Sequence, residues 1–412
     1  MKNRWYQWTF VIAAVVVLVF GLRACFAGND LVNRPPGEKI DAELTLQAVT
    51  LEQPDEDGTL LWRLKAESVT YVPDTQRAEL LALEGELFQD GETVYTVEAD
   101  EGEVLQNGNT LFLRGNLVAT GSENDLTLEG EKLKWQPKQD LLVMGEFDDA
   151  ADTFGESVDA PVPSATGPIT IDDAPVTGFS PQLKTAARLV TVNNREERVE
   201  LTGDVLAESK ESPWLIFESQ ALTWFTAREL IEANQLLTVE QYDNDAYQTV
   251  TDRLVGASGQ IELAENRVTL EEDVQLDALT QPLTVRTAQA IWSIDAQTVE
   301  INSLVDIEQA EQQVTAVANQ ARLDLAGQVV YLEGDVQAVG EKNDAQLNAD
   351  RVVWETTTQQ VEAEGNVRYR QAADPDVSIQ GPRAVGDIAA GTLVIEGGES
   401  GEVVTEIVPD DL

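Results

Sequence analysis

The chain has 412 residues, 74 of them acidic and 27 basic, for a net charge of −47. That balance repels polyanions along the whole chain, so no nucleic-acid partner is expected. With no histidine and a single cysteine, Cys25, the usual general base, the commonest zinc ligand and any disulfide framework are missing.

Lys2 and Arg4, within residues 1–4, precede an uncharged stretch from Trp5 to Leu22. As a helix this stretch would span about 27 Å, enough to cross a hydrocarbon core. Trp5, Tyr6 and Trp8 fall where an interfacial aromatic belt would lie, and the leading cations point the N-terminus to the cytoplasm. The expectation is a single-pass inner-membrane protein anchored through residues 5–22, with its body in the periplasm. The run Leu22-Arg23-Ala24-Cys25 leaves a lipoprotein signal to Cys25 as an alternative, and full cleavage as a third reading. Residues 23–40, with Pro35-Pro36-Gly37, read as a spacer.

From Leu44 onward apolar and polar residues alternate at period two, the signature of strands, with turn signals at Asp57-Gly58, Asp90-Gly91 and Asn107-Gly108. Residues 41–147 read as one β-domain. Between 148 and 182 the pattern fails among Pro161, Pro163, Pro168, Pro175 and Pro181, so this stretch reads as a Pro/Asp-rich insertion or linker. Alternation resumes over 183–400, and 401–412 reads as a tail.

One phrase recurs in these blocks, spaced in the plainest cases by about 31 residues. It reads Leu81-Leu83-Gly85-Leu87, Leu111-Leu113-Gly115-Leu117, Val199-Leu201-Gly203-Val205, Val330-Leu332-Gly334-Val336 and Val361-Ala363-Gly365-Val367. All its members share one parity and hence one strand face, while Arg114, Asp204, Asp335 and Asn366 take the other. Glycine in an inward row leaves room either for two sheets to converge or for a guest. Glu272 stands where glycine would, and a bulge that turns it outward is expected rather than a buried charge. Trp135, Trp224, Trp292 and Trp354 follow the glycine position by 20 or 21 residues and are expected to pack the strand face.

The expected fold is all-β: stacked antiparallel strand repeats around one apolar interior. Candidates to line that interior are Leu111, Leu113, Leu117, Val199, Leu201, Val205, Val330, Leu332 and Val336. No catalytic residue, metal site or cofactor is expected. The chain has neither a Gly-rich phosphate loop followed by Lys-Ser or Lys-Thr nor a calcium loop with its glycine turn.

Leu46-Gln47-Ala48-Val49-Thr50-Leu51, Asp57-Gly58-Thr59-Leu60-Leu61-Trp62-Arg63-Leu64-Lys65-Ala66-Glu67 and Val69-Thr70-Tyr71 resemble the opening of the periplasmic domain of the LptC family. Ala99-Asp100-Glu101-Gly102 and Leu113-Arg114-Gly115-Asn116-Leu117 extend that likeness. From Leu183 onward, Leu201-Thr202-Gly203-Asp204-Val205, Leu332-Glu333-Gly334-Asp335-Val336 and Glu364-Gly365-Asn366-Val367 resemble the LptA/OstA-like repeat of the wider transport family. The resemblance implies an elongated V-shaped β-jelly-roll preceded by one N-terminal transmembrane helix. It also implies a role in lipopolysaccharide export, with the nine candidates as a groove for acyl chains. The implied partners are lipopolysaccharide, an inner-membrane ABC transporter of the Lpt system, an LptA-like periplasmic bridge protein, and the membrane itself through the anchor. The chain is about twice the family's compact length. A membrane-tethered structural or adhesive β-solenoid with a closed core remains open as the alternative, and a carbohydrate-active enzyme using paired carboxylates as a third.

Overall fold

The computed structural model describes residues 44–72, 77–105, 110–122, 126–147, 169–280, 282–372, 376–397 and 404–408. The anchor and spacer expected at 5–22 and 23–40 lie outside these residues.

The described chain forms 28 strands joined in one antiparallel sheet. They begin with β1 (Leu44–Pro54), β2 (Leu60–Val72), β3 (Arg77–Gln89), β4 (Glu92–Leu105), β5 (Leu111–Gly121), β6 (Thr127–Gln136) and β7 (Leu141–Gly145). The middle comprises β8 (Val176–Phe179), β9 (Leu183–Ala187), β10 (Leu189–Asn193), β11 (Arg198–Ser209), β12 (Trp214–Phe225), β13 (Leu230–Ala233), β14 (Leu237–Tyr242), β15 (Val250–Gly256), β16 (Ser258–Glu262) and β17 (Arg267–Ala278). The chain continues through β18 (Leu283–Ser293), β19 (Thr298–Ile301), β20 (Val305–Gln309), β21 (Val314–Ala318), β22 (Gln320–Asp324), β23 (Val329–Gly340) and β24 (Ala345–Glu355). It ends with β25 (Gln360–Gln371), β26 (Asp376–Asp387), β27 (Thr392–Glu396) and β28 (Val404–Val408). The stretch expected as an insertion at 148–182 thus holds β8, and the stretch expected as a tail holds β28.

Long strands change partners along their length. β6 pairs with β8 through Thr127–Gly130 and with β7 through Leu133–Gln136. β12 divides between β14 and β13 in the same way, and β26 between β28 and β27. Each long strand therefore crosses a corner from one half-sheet to another. The inward side chains of both halves meet in one apolar cluster that runs from Trp62 to Ala384.

The recurrent glycine sits at these corners. Gly115-Asn116, Gly203-Asp204, Gly334-Asp335 and Gly365-Asn366 all have positive φ at both residues, as does Glu272-Asp273. At each pair the register to the next strand shifts, for example between Glu333 and Val336 on β23. A left-handed residue costs an L-amino acid about 1–2 kcal/mol, which glycine escapes and short polar Asn and Asp tolerate. The glycine is therefore a bend in the strand, neither a gap left for a guest nor a contact between sheets. Glu272 is exposed at its corner, as the bulge reading expected. Other strands break at the corner instead: Arg188 separates β9 from β10, Ala257 separates β15 from β16, and Asn319 separates β21 from β22.

Side chains on neighbouring strands lace the corners together. Asn116 Nδ2 donates to Asp100 Oδ2 at 2.6 Å, Asn366 Nδ2 to Asp350 Oδ2 at 2.8 Å, and Gln220 Nε2 to Asp204 Oδ1 at 2.9 Å. Arg188, buried, reaches Asp204 at 3.2 Å and Glu146 at 3.3 Å. β7 and β8 both pair with β6, one on each side of its corner.

The phrase Leu81-Leu83-Gly85-Leu87 is out of phase with the others. Its corner is Ala82, at φ +48, so Leu80 rather than Leu81 points inward and Leu81 is 52% exposed.

Outward residues form cross-strand ladders of alternating charge. One runs Glu333, Arg351, Glu364, Arg383, Glu396 in register across β23, β24, β25, β26 and β27. Another joins Glu52, Arg63 and Glu86 at 2.8 and 2.9 Å. Such exposed pairs contribute only about 0–1 kcal/mol each, so they favour register more than stability.

The corner geometry yields a measurable expectation. Gly334→Ala places a Cβ 2.9 Å from Asn319 Nδ2 at a φ of +80. It is expected to cost about 1–2 kcal/mol, read as a lower urea midpoint at unchanged slope. Asp335→Asn, which keeps a left-handed-tolerant residue at the next position, is expected to be near neutral.

Candidate functional site

The interior is built from rows that run across the strands. In the first half-sheet, Leu111, Trp135, Leu142, Val192, Val199 and Trp224 stand opposite one another in succession. The row continues through Ile231, Ile261, Val268 and Trp292 to Val299, Leu323, Val330 and Trp354. A second row, two residues along each strand, carries Leu113, Leu133, Met144, Val190, Leu201 and Leu222, and later Leu332, Val352, Ala363, Ala384 and Ile395. Beyond the corner, Leu117, Val205 and Val336 open the inward face of the second half-sheet.

All nine candidate residues are buried in this interior, Leu201 being the most exposed of them at 7%. They differ in what they border. Leu332 and Val336 line a cavity of about 280 Å³ near the last rungs, with Ala316, Leu347, Trp354 and Tyr369. Its polar lining includes Gln312, Asp387 and Lys342, whose ammonium donates to Gln312 Oε1 at 3.0 Å and Glu311 O at 2.7 Å. Val199 and Leu201 border an apolar void of about 40 Å³, and Val330 borders a space of about 60 Å³ with a mixed lining that includes Asp324, Gln328 and Thr356. Leu111, Leu113, Leu117 and Val205 lie in packed core and line none of these three spaces. The middle of the interior is filled by side chains such as Trp135 and Trp292, both fully buried. A larger space of about 720 Å³ lies at the corners of β1–β5 and mixes Lys65, Glu67, Glu84 and Asp100 with small apolar residues. Its polar lining does not suit an apolar guest.

One interior group escaped the sequence reading. Asp252 stands in register with Gln241 and Ala278, on the parity of Leu254, and it lines the void that Val330 borders. Burial pushes its carboxyl above the usual range, with Thr251 acting weakly in the opposite direction. The alternation Val250, Asp252, Leu254 was the available signal, an acid at an inward position. Ala316 and Leu347 were missed because their strands lack the glycine phrase. Among the described residues no group of three or more His, Cys, Asp or Glu could hold a metal ion.

The expected localisation is corrected at this point. Among the described residues no helix is long and apolar enough to cross a membrane, so a single-pass inner-membrane protein is not supported. The segment on which that expectation rested lies outside the described residues.

Residues 10–143 match the model of a family described as lipopolysaccharide-assembly, LptC-related. About the first third of the chain is thus similar to LptC-related proteins. The match takes in β1–β6 and the start of β7, about a third of the chain. The match connects this part of the chain with lipopolysaccharide assembly. No curated protein matches the chain.

The buried carboxyl of Asp252 gives a pH test. A carboxyl held above its unfolded pKa takes up a proton on folding, so stability falls as pH rises through the folded value. Asp252→Asn should therefore raise the urea midpoint at neutral pH. The gain should shrink as pH drops to where Asp252 is protonated in the folded protein. Chemical denaturation of both proteins across pH 4 to 8 measures this.

Proposed function

We propose that the protein carries the acyl chains of lipopolysaccharide between its half-sheets, accepting the lipid from an ABC transporter of the Lpt system and passing it toward an LptA-like bridge. The observation that carries this reading is the run of inward apolar rows from the first rungs to β27, which opens into a cavity near the last rungs. Exposing an acyl chain costs about 0.8 kcal/mol per methylene, so a chain of about 14 carbons costs on the order of 10 kcal/mol in water. A carrier offsets that cost only where its apolar cover is continuous.

On this reading the half-sheets form a V-shaped jelly-roll, and the nine candidate residues are lipid contacts. Residues 41–147 act as an LptC-like domain and 183–400 as a lobe of LptA/OstA-like repeats, with 148–182 between them. Among the described residues β1 pairs with β2 alone, and β27 and β28 pair with β26 alone. Strand edges of this kind are natural joints between proteins. The strands near Leu44–Leu51 would meet the transporter and those near Leu393–Ile395 the next carrier. The exposed Leu44 and Leu46 suit that role.

A second reading, a structural or adhesive β-solenoid with a closed core, is favoured by the dense packing around Trp135 and Trp292. Photocrosslinking amino acids at Leu113 and Leu201 separate the two. The carrier reading expects lipopolysaccharide to be captured in cells at these inward sites and not at the outward Glu84 and Glu200. No capture at inward sites would leave the closed solenoid standing.

A further inference from the structure

Two half-sheets that share one interior have a corner on one side and a mouth on the other, where the strand ends of each half-sheet form a lip. In the middle and late rungs the lips stand apart. The spaces of about 280, 60 and 40 Å³ are each lined from both half-sheets, as by Leu347 and Trp354, Leu283 and Val330, or Leu128 and Val199. In the first rungs the lips touch. Tyr95 lies beyond the corner of β4, opposite Leu87 and Gly121, in the second half-sheet. Asn194 follows β10, whose partners β7 and β11 put it at the lip of the first half-sheet. Although 99 residues apart in sequence, the two are joined: Tyr95 Oη donates to Asn194 Oδ1 at 2.9 Å.

Asn194 is held from behind. Its backbone N–H donates to Asp140 O at 3.2 Å, and Arg195 pairs with the Asp140 carboxylate. Asp140 in turn ends the 3-10 turn Pro137–Gln139, which lies against β3. Burial pushes the Asp140 carboxyl up, Arg195 draws it back, and Asp90 in the turn between β3 and β4 adds to the rise, so the facing lip is close. Yet the bond across the mouth is only half satisfied, because Asn194 Nδ2 is buried with no acceptor. A buried donor left unpaired costs at least as much as one neutral hydrogen bond gains. In the closed form the two effects oppose each other, and an opened mouth gives Nδ2 to water.

We propose that the Tyr95–Asn194 pair is a latch that closes the mouth over the first rungs and is balanced to release. The side chains behind it, Trp62 and Leu87 on one lip and Trp135, Leu142 and Val192 on the other, are buried while it is shut. Local openings of this kind draw on the least stable contacts of a fold. On the transport reading, on which this consequence rests, a guest enters the first rungs sideways through the opened mouth, whereas the later rungs are already parted. The latch itself stands or falls without that reading.

The test measures thiol labelling of the full chain under native conditions, in a Cys25→Ser background with one buried reporter, Val192→Cys beside the latch or Val299→Cys in the later rungs. Tyr95→Phe leaves Asn194 Oδ1 buried without its Tyr95 donor. It should speed labelling beside the latch by roughly 5- to 100-fold and leave the later reporter unchanged. Tyr95→Phe combined with Asn194→Leu makes both lips apolar and should return labelling to the wild-type rate or below it, since replacing both partners removes the unpaired groups. Unchanged labelling in Tyr95→Phe, equal acceleration at both reporters, or a double variant as fast as Tyr95→Phe overturns the latch. In cells, lipopolysaccharide capture by a photocrosslinker at Leu113 should rise in Tyr95→Phe. Local acceleration with unchanged capture keeps the latch and overturns its role in entry. Local acceleration with no capture at Leu113 or Leu201 in either protein keeps the latch and sinks the transport reading.

Discussion

Everything in this fold depends on strands that turn a corner without losing their hydrogen-bond ladder. A β-strand that bends has to spend a residue or two outside the extended region, and an L side chain resists the left-handed conformation that the bend needs. The Gly-Asn and Gly-Asp pairs resolve this locally, and the amide and carboxylate side chains beside them bond to the next strand. Register on both sides of the bend is thereby tied to one pair of residues. If the corner slipped by one position, every inward side chain beyond it would face water.

From that constraint the interior follows. With corners aligned, residues two apart on each strand fall into rows that cross the sheet, and the rows stay apolar through changes of partner that skip along the chain, as from β7 to β10. The interior is not alike along its length. In the middle, around Trp135 and Trp292, the rows are fully buried. Around Trp354 the small residues Ala316 and Ala338 leave room. One continuous apolar surface therefore has closed and open stretches, and the open one lies near the end of the chain.

Much of this was legible in the sequence because strand parity is rigid. Leu111, Val199 and Val330 point inward for the same reason that Arg114 and Asp335 point outward. The corner itself was harder to see, since a glycine at an inward parity looks like a small core residue. The informative sign was the residue after it, Asn116, Asp204, Asp335 or Asn366, a type that tolerates positive φ. Glu272-Asp273 shows that the corner survives without glycine, and Ala82 shows that it can stand three residues from the glycine that advertises it. The alignment of the four tryptophans was hidden for another reason. Their spacing was visible, but their common row passes through pairings between strands that are not neighbours in sequence, which no local pattern reports. Asp252 illustrates the converse, since its parity was plain and its isolation from cations was not.

The outward charge ladders have a consequence at the ends of the sheet. Within the longest ladder each acid faces a cation on the next strand, as Glu364 faces Arg351 and Arg383. The terminal strands break that alternation: β1, β27 and β28 contain Glu52, Glu396 and Glu406 and no lysine or arginine. Two copies brought edge to edge would set acid against acid, with nothing on either strand to compensate. Open edges ordinarily invite unlimited polymerisation. Here the sign of the charge opposes growth by self-stacking.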